Sequence, residues 1–308
     1  MITLRKSILA SALLAVTACA NVLGIEDTEL AASCKPGDFS YDGGDGPGEG
    51  PQKEGPGEDF SCVGNQPVEM ATTNTVKITL AIVNLVNPSE TIEGVSVRAC
   101  ASRGDLNCAN VVAETTSNAD GLAVLEVPTT SNRGKTGYTG YFEIKGPDAK
   151  NRVFLDYLQF FSRPITRDRL YALFLVRPED FVTLFPNDAD TAGDPNRGAL
   201  ALEAVDCPNA QIDPTMQGAP HVRFAIENSC DVLDESSREF YFSNLTPSTT
   251  ISETESALAI GGFIGIKPAN DVVVQAYWRP DAQNLKVVED RVIVRPGTLT
   301  TLRFEPNQ

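Results

Sequence analysis

The chain has 308 residues, 42% of them hydrophobic, which is enough to build a core in each of two ordinary domains and excludes disorder throughout. Its 41 acidic residues against 25 basic ones give a net charge of -16, a surface that repels nucleic-acid phosphates and anionic lipid head groups. No nucleic-acid partner is expected, and the simplest role of the charge is solubility.

At the front, Arg5 and Lys6 precede an apolar stretch from Ile8 to Val16 and then small residues, the three parts of an export signal over residues 1–18. The apolar core is about nine residues long where a bilayer span needs roughly 20, so the segment is no transmembrane helix. Val16-Thr17-Ala18-Cys19 resembles the bacterial lipobox, an aliphatic residue and two small ones before a cysteine. In proteins with that motif the thiol takes a diacylglyceryl group, the signal is cut before it, and the new amino terminus is acylated. The resemblance implies Cys19 as the lipid attachment site and the membrane as a partner through that lipid. Several acyl chains at about 0.8 kcal/mol per buried CH₂ hold a protein where one would not. Ala20 stands where an aspartate would resemble an inner-membrane retention signal, so the implied address is the bacterial outer membrane, on its periplasmic or cell-surface face. The alternative is an ordinary signal with a chance cysteine. Removal of the signal takes two positive charges and no acid with it, leaving -18.

Seven cysteines are an odd count for an exported chain, and giving Cys19 to lipid leaves an even set for an oxidising compartment: Cys34, Cys62, Cys100, Cys108, Cys207 and Cys230. Many pairings are open. Local spacing suggests Cys34 with Cys62, Cys100 with Cys108, and Cys207 with Cys230, at roughly 2.5 to 3.6 kcal/mol per bridge on the loop-entropy account. Zinc is disfavoured, because no C-x-x-C occurs and His221 is the one histidine. No metal and no cofactor are expected.

Residues 19–74 read as a lipidated, disordered tether. The stretch between Cys34 and Cys62 is dense in Gly, Pro and acids and nearly free of large aliphatics, so it cannot bury enough surface to fold. Its Asp and Gly content is similar to calcium-binding repeats, but no period is kept. Some fifty residues of coil span on the order of 40 Å.

From Thr75 onward, short runs alternate with period two between turn residues. Val76, Ile78, Leu80 and Ile82 share one face, and Val95 and Val97 alternate with Ser96 and Arg98. The turn Ser117–Gly121 launches a strand over Leu122–Pro128. Further strands are predicted over 140–146, 152–161 and 169–176. A helix is predicted over 177–185, with Pro178 in its first turn, acids at the positive dipole end, and Phe181, Leu184 and Phe185 at i, i+3, i+4. Residues 186–198 read as a linker, so 75–185 forms one domain and 199–308 a second. In the second, strands are predicted over 199–205, 221–227, 238–245, 261–266, 271–278, 291–295 and 299–305. Strands without intervening helical periods predict antiparallel sheets folded as a sandwich, the second domain being a diverged repeat of the first.

Val95–Cys100, Cys108, Ala113–Pro128 with its Thr116, Asp120 and Gly121, and Tyr138–Asp148 resemble carboxypeptidase regulatory-like domains of bacterial envelope lipoproteins. Asn21–Thr28 also looks like the start of a set of lipoproteins. The match covers about residues 75–176, and the second half fits loosely through Gly261–Pro268 and Val292–Phe304. The resemblance implies an all-β chain of two tandem Greek-key β-sandwich domains of transthyretin-like type. It also implies packing, adhesion or binding. The family's metallopeptidase is a separate domain, and nothing here matches it, since there is no H-x-x-E and no second histidine.

Catalytic constellations are scarce. A Ser-His-Asp triad would need His221, whose place after Pro220 at a strand start predicts a core or edge role. With 41 acids some carboxylates must lie close together, yet none sits in a recognisable glycosidase context. Asp231, Asp234 and Glu235 read as a solvated loop. Gly261–Gly265 lacks the following helix of a phosphate loop and reads as a bulged strand. Tyr138, Tyr141, Phe142, Tyr277 and Trp278 could stack sugars if exposed, but alternation turns half of them inward. The chain is therefore expected to be no enzyme, but a binding or structural module whose partner is an envelope protein or glycan. The alternatives are an envelope glycan hydrolase using paired carboxylates and a calcium-stabilised adhesin.

Overall fold

The computed structural model describes residues 60, 62–63, 69–131, 134–147, 154–207, 218–227, 229–243, 246–255, 259–278 and 285–306. The predicted signal, Cys19, Cys34 and most of the predicted tether lie outside them. In chain order the strands begin with β1 (Thr75–Asn84), β2 (Ser96–Cys100), β3 (Val111–Thr116), β4 (Leu122–Pro128), a short ribbon of β5 (Thr130–Ser131) and β6 (Gly134–Lys135), β7 (Tyr141–Lys145), β8 (Asp156–Phe161) and β9 (Arg169–Leu175). Two short helices follow, α1 (Pro178–Leu184) and α2 (Ala189–Ala192). The chain continues through β10 (Gly198–Ala204), β11 (Val222–Ile226), the helical turn α3 (Ser229–Val232), β12 (Arg238–Ser243), β13 (Thr246–Ser248), β14 (Ile260–Ile266), β15 (Ala269–Trp278), β16 (Leu285–Val294) and β17 (Thr298–Phe304).

The architecture is all-β and sandwich-like. Alternation does the work in β1, where Val76, Ile78, Leu80 and Ile82 are buried and the residues between them face outward. The turn before β4 is fixed by Asn118, whose carbonyl accepts from the Gly121 amide at 2.9 Å and whose side-chain Oδ1 accepts from the Leu122 amide at 2.9 Å. Gly121 has φ +73°, and a Cβ there would stand 2.5 Å from the Ile82 carbonyl oxygen, so no other residue fits. Helix α1 begins with Pro178 and buries Phe181, whose ring meets Phe185 at 5.3 Å. The segment 186–198, predicted as a linker, carries α2.

Three sheets carry the core. β1 pairs antiparallel with β4 and parallel with β9, giving the order β4-β1-β9. A second sheet of three strands has the order β11-β15-β16. Between them lies a nine-stranded sheet, β13-β12-β14-β10-β17-β8-β7-β2-β3, in which β17 runs parallel to both β10 and β8. That sheet draws strands from both halves of the chain and buries both faces. Phe142, Ile144, Tyr157 and Phe161 pack with β1 in one cluster, which also takes Ile264 and Leu299 from the second half. Tyr141, Leu158 and Phe160, on alternate positions, join the opposite cluster with Leu200, Leu202, Phe304, Val272 and Trp278. The two sandwich cores thus share their middle sheet.

Gly262 explains the glycine-rich run of β14. Its φ is +151°, and a Cβ there would strike the Leu200 carbonyl across the β10–β14 pair. The register of that pair slips between Gly198 and Leu200, the bulge predicted for this region.

Candidate functional site

Cys100 bonds Cys108, as local spacing predicts. The other local pairings are corrected: Cys62 bonds Cys207, with the two Cα atoms 5.8 Å apart across 145 residues, and therefore neither Cys34 with Cys62 nor Cys207 with Cys230 is formed. Burial around Cys62 supplies the reason. Phe60, in a polar segment, is fully buried and meets Trp278 at 4.9 Å. The Cys62 amide donates to Cys207 Sγ at 3.1 Å, and the Val63 amide to the Phe60 carbonyl at 3.1 Å. A hydrophobic anchor draws this end of the tether onto the second half of the chain, and sequence distance loses to burial.

The small loop closed by Cys100–Cys108 is gripped by charge. Glu143 of β7 is 4% exposed and takes Arg98 of β2 at 2.9 Å and Arg295, just after β16, at 2.6 Å. Arg98 also donates to the Cys108 carbonyl at 2.8 Å, and Arg295 to the Tyr141 hydroxyl at 3.1 Å and to the Leu106 carbonyl. Arg103, within the loop, pairs with Asp290 of β16 and donates to the Phe161 carbonyl. Burial pushes the Asp290 carboxyl up, and the Arg103 guanidinium opposes that rise. None of these residues carries a sequence signal, because the arginines and acids that meet are far apart in the chain and ordinary in their local context.

A cavity of about 620 Å³ opens where α1, α2 and the starts of β8, β10 and β17 converge. Phe154, Phe181, Val182 and Ile264 give it apolar walls, and Asp156, Glu179 and Asp194 bring carboxylates. Desolvation holds the Asp156 carboxyl above its ordinary range, while Lys145 and Arg295 pull the other way. Glu179 lies 3.6 Å from Arg177, and Asp194 lies 3.8 Å from Arg197. Arg197 is committed further, to the Gly265 carbonyl at 3.1 Å and to Asp234 at 2.8 Å. Such a space suits an apolar group better than a polar one.

Asp234, read from sequence as solvated, is an organiser here. Desolvation pushes its carboxyl up, but hydrogen bonds from Arg197 and Ser236 outweigh that and hold it well below the usual carboxylate range. A depressed carboxyl stabilises the fold above the unfolded value of about 3.9, and that support is lost as pH falls through the folded value. Replacing Asp234 with Asn is therefore expected to flatten the loss of stability below about pH 4 in urea titrations run across acidic pH.

The sequence-predicted catalytic candidates fall elsewhere. His221 has φ +59°, its side chain is about half exposed, and Nδ1 lies 2.9 Å from Glu253 Oε1 at the strand edge. Of the candidate sugar-stacking rings, Tyr138, Tyr141, Phe142 and Trp278 are buried, with Tyr138 on Phe142 at 5.5 Å and Tyr141 on Phe160 at 4.9 Å. Among the described residues no group of three or more His, Cys, Asp or Glu side chains could hold a metal ion. Among those residues, too, no helix is long and apolar enough to cross a membrane.

No family model matches the chain, and no curated protein does. Solved structures give weak overlays. The shaft pilin spaA from Lactobacillus rhamnosus GG is 12% identical, covering 75% of this chain and 98% of its own at a TM-score of 0.25. The Bacillus anthracis TIE protein is 8% identical over 76% of this chain and 34% of its own, with a TM-score of 0.22. A streptococcal ancillary pilin is 10% identical over 77% and 63%, also at 0.22. Overlays this loose do not bear on the role of the chain.

Proposed function

We propose that this protein is a lipid-anchored module of the bacterial outer membrane, acting by binding or by mechanical support and without catalysis. The observation that carries the reading is the pair of disulfides, Cys62–Cys207 and Cys100–Cys108, which belong to an oxidising compartment, and the Val16-Thr17-Ala18 context of Cys19 supports that residue as the one that takes the lipid. Cys62 also gives the anchor a purpose. Roughly forty residues separate Cys19 from buried Phe60, so tension on the lipid reaches the fold through a stapled point in its core and not through a frayed strand. The turn with Thr116, Asp120 and Gly121 supports a carboxypeptidase regulatory-like ancestry for the first half. The partner is then an envelope protein or glycan, at the periplasmic or the cell-surface face.

The experiment is metabolic labelling with palmitate followed by membrane flotation of the wild-type chain and Cys19→Ala. Label in the wild type, and loss of both label and flotation in the variant, is the expected outcome. A variant that still floats with membranes overturns the anchor.

A glycan hydrolase is the second reading, because the cavity gathers Asp156, Glu179 and Asp194 and the Asp156 carboxyl is raised, as a general acid requires. We rank it lower, since Glu179 and Asp194 face arginines and Phe154, Phe181, Val182 and Ile264 make much of the wall apolar.

A further inference from the structure

The cavity between α1, α2 and the central sheet is a built space, not a gap between loose pieces. α2 and the turn after it are pinned to neighbouring elements at three points: Asp188 takes Arg238 at 3.1 Å, the Thr191 hydroxyl donates to the Ser236 carbonyl at 3.1 Å, and Arg197 holds Asp234 at 2.8 Å. Gly265 of β14 lets this wall close in, since a Cβ there would stand 2.5 Å from Thr191 Cγ2. An apolar space that the fold itself leaves unfilled costs stability. At about 620 Å³ this one has the size of a small-molecule site.

Its polarity is graded. Phe154, Phe181, Ala199 and Ile264, all buried, form the floor. Asp156, Glu179 and Asp194 bring carboxylates to the mouth, where Asp156 and Glu179 are exposed. Among the described residues the lining holds one cation, Arg197, and its guanidinium is already engaged by Asp234, by the Gly265 carbonyl at 3.1 Å and, more loosely, by Asp194 at 3.8 Å. Lys145 and Arg295, whose charges act on Asp156, both close instead on Glu143, at 4.0 and 2.6 Å. The mouth is left negative.

We propose that the cavity binds a small organic cation, a primary amine on an aryl or alkyl body, with the hydrocarbon among Phe154, Phe181 and Ile264 and the ammonium at Asp156. Charge selects this class. The same floor would take an acyl chain, but a carboxylate or phosphate head would meet the carboxylates of Asp156, Glu179 and Asp194, and a neutral head would leave Asp156 without a counter-ion. An ammonium supplies both the charge and the hydrogen-bond donors that this carboxylate accepts. The site depends on neither the lipid anchor nor an envelope partner, and the two readings fail separately.

The test is titration calorimetry of the purified full chain in nanodiscs, where no detergent competes for the cavity, with empty nanodiscs as the blank. Phenylbutylamine, phenylbutanol and phenylbutyrate share one body and differ in the head. The amine is expected to bind about fivefold more tightly than the alcohol, the worth of one exposed ion pair, and the acid to bind more weakly than either. Asp156→Asn is expected to bring the amine down to the alcohol and to leave the alcohol unchanged. Ala192→Phe, which puts a ring into the space from α2, is expected to abolish binding of both. An acid that binds as well as the amine overturns the proposal, and so does an amine preference that survives Asp156→Asn. An amine that binds Ala192→Phe as it binds the wild type is a surface ion pair only, which also overturns it. Wild type that takes up none of the three probes overturns it without any variant.

Discussion

Replacing Cys62 with Ser is expected to cost about 5 kcal/mol of stability on the loop-entropy account, because the Cys62–Cys207 bridge closes 145 residues. The same account assigns Cys100–Cys108, which closes 8, only about half of that. The ordering is the informative part. Urea midpoints of Cys62→Ser, Cys207→Ser and the double variant should agree with one another and lie well below that of a Cys100→Ser/Cys108→Ser chain. Equal losses for the two bridges would mean that local packing, not the freedom of the unfolded chain, sets their worth. Phe60→Ala belongs to the same experiment, since the ring that seats the staple is fully buried, and removing a buried phenyl costs roughly 3 to 5 kcal/mol.

Removing Glu143 is also expected to be damaging. Glu143→Ala leaves two guanidinium groups without the carboxylate between them, and since Arg98 and Arg295 keep 33% and 24% of their side chains exposed the cost falls below the roughly 3 to 5 kcal/mol of a fully buried pair. Replacing Arg98, Glu143 and Arg295 together with apolar residues of similar volume is expected to recover most of that loss, because the desolvation of three charges disappears with them. Double-mutant cycles between Arg98 and Glu143 and between Glu143 and Arg295, read by chemical denaturation, separate the two contacts. The second cycle is the more telling, since Arg295 follows β16 while Glu143 sits in β7. A coupling near zero there would mean that the buried carboxylate does not tie the halves of the chain together.

The elements were largely legible in the sequence, and their partners were not. Alternation identifies β1 because Val76, Ile78, Leu80 and Ile82 must all point inward, and Asn118 with Gly121 marks the turn before β4. Period two reveals a face, however, and says nothing about which strand lies alongside. The pairing of β8 with β17 joins residues more than a hundred positions apart, and both strands bury residues on both faces, so neither carries an alternation that would name its neighbour. β3 was missed for the opposite reason: Val111–Thr116 is half exposed along its length and carries two threonines and a glutamate, which weakens any alternation. The cavity was illegible because its walls come from α1, α2 and four strands of the central sheet, β8, β10, β14 and β17. The Cys62 staple had one visible clue, Phe60 two residues before it in a stretch with no large aliphatic side chain.

The place of β17 governs when this molecule can become itself. It follows every other described strand in chain order, yet it occupies the middle of the nine-stranded sheet, hydrogen-bonded to β10 on one side and β8 on the other. Neither neighbour has its partner on that side until it arrives, although β1, β4 and β9 pair without it. The central sheet stays split between β10 and β8 until Thr298–Phe304 has been made, so closing it is a step that only the complete chain can take.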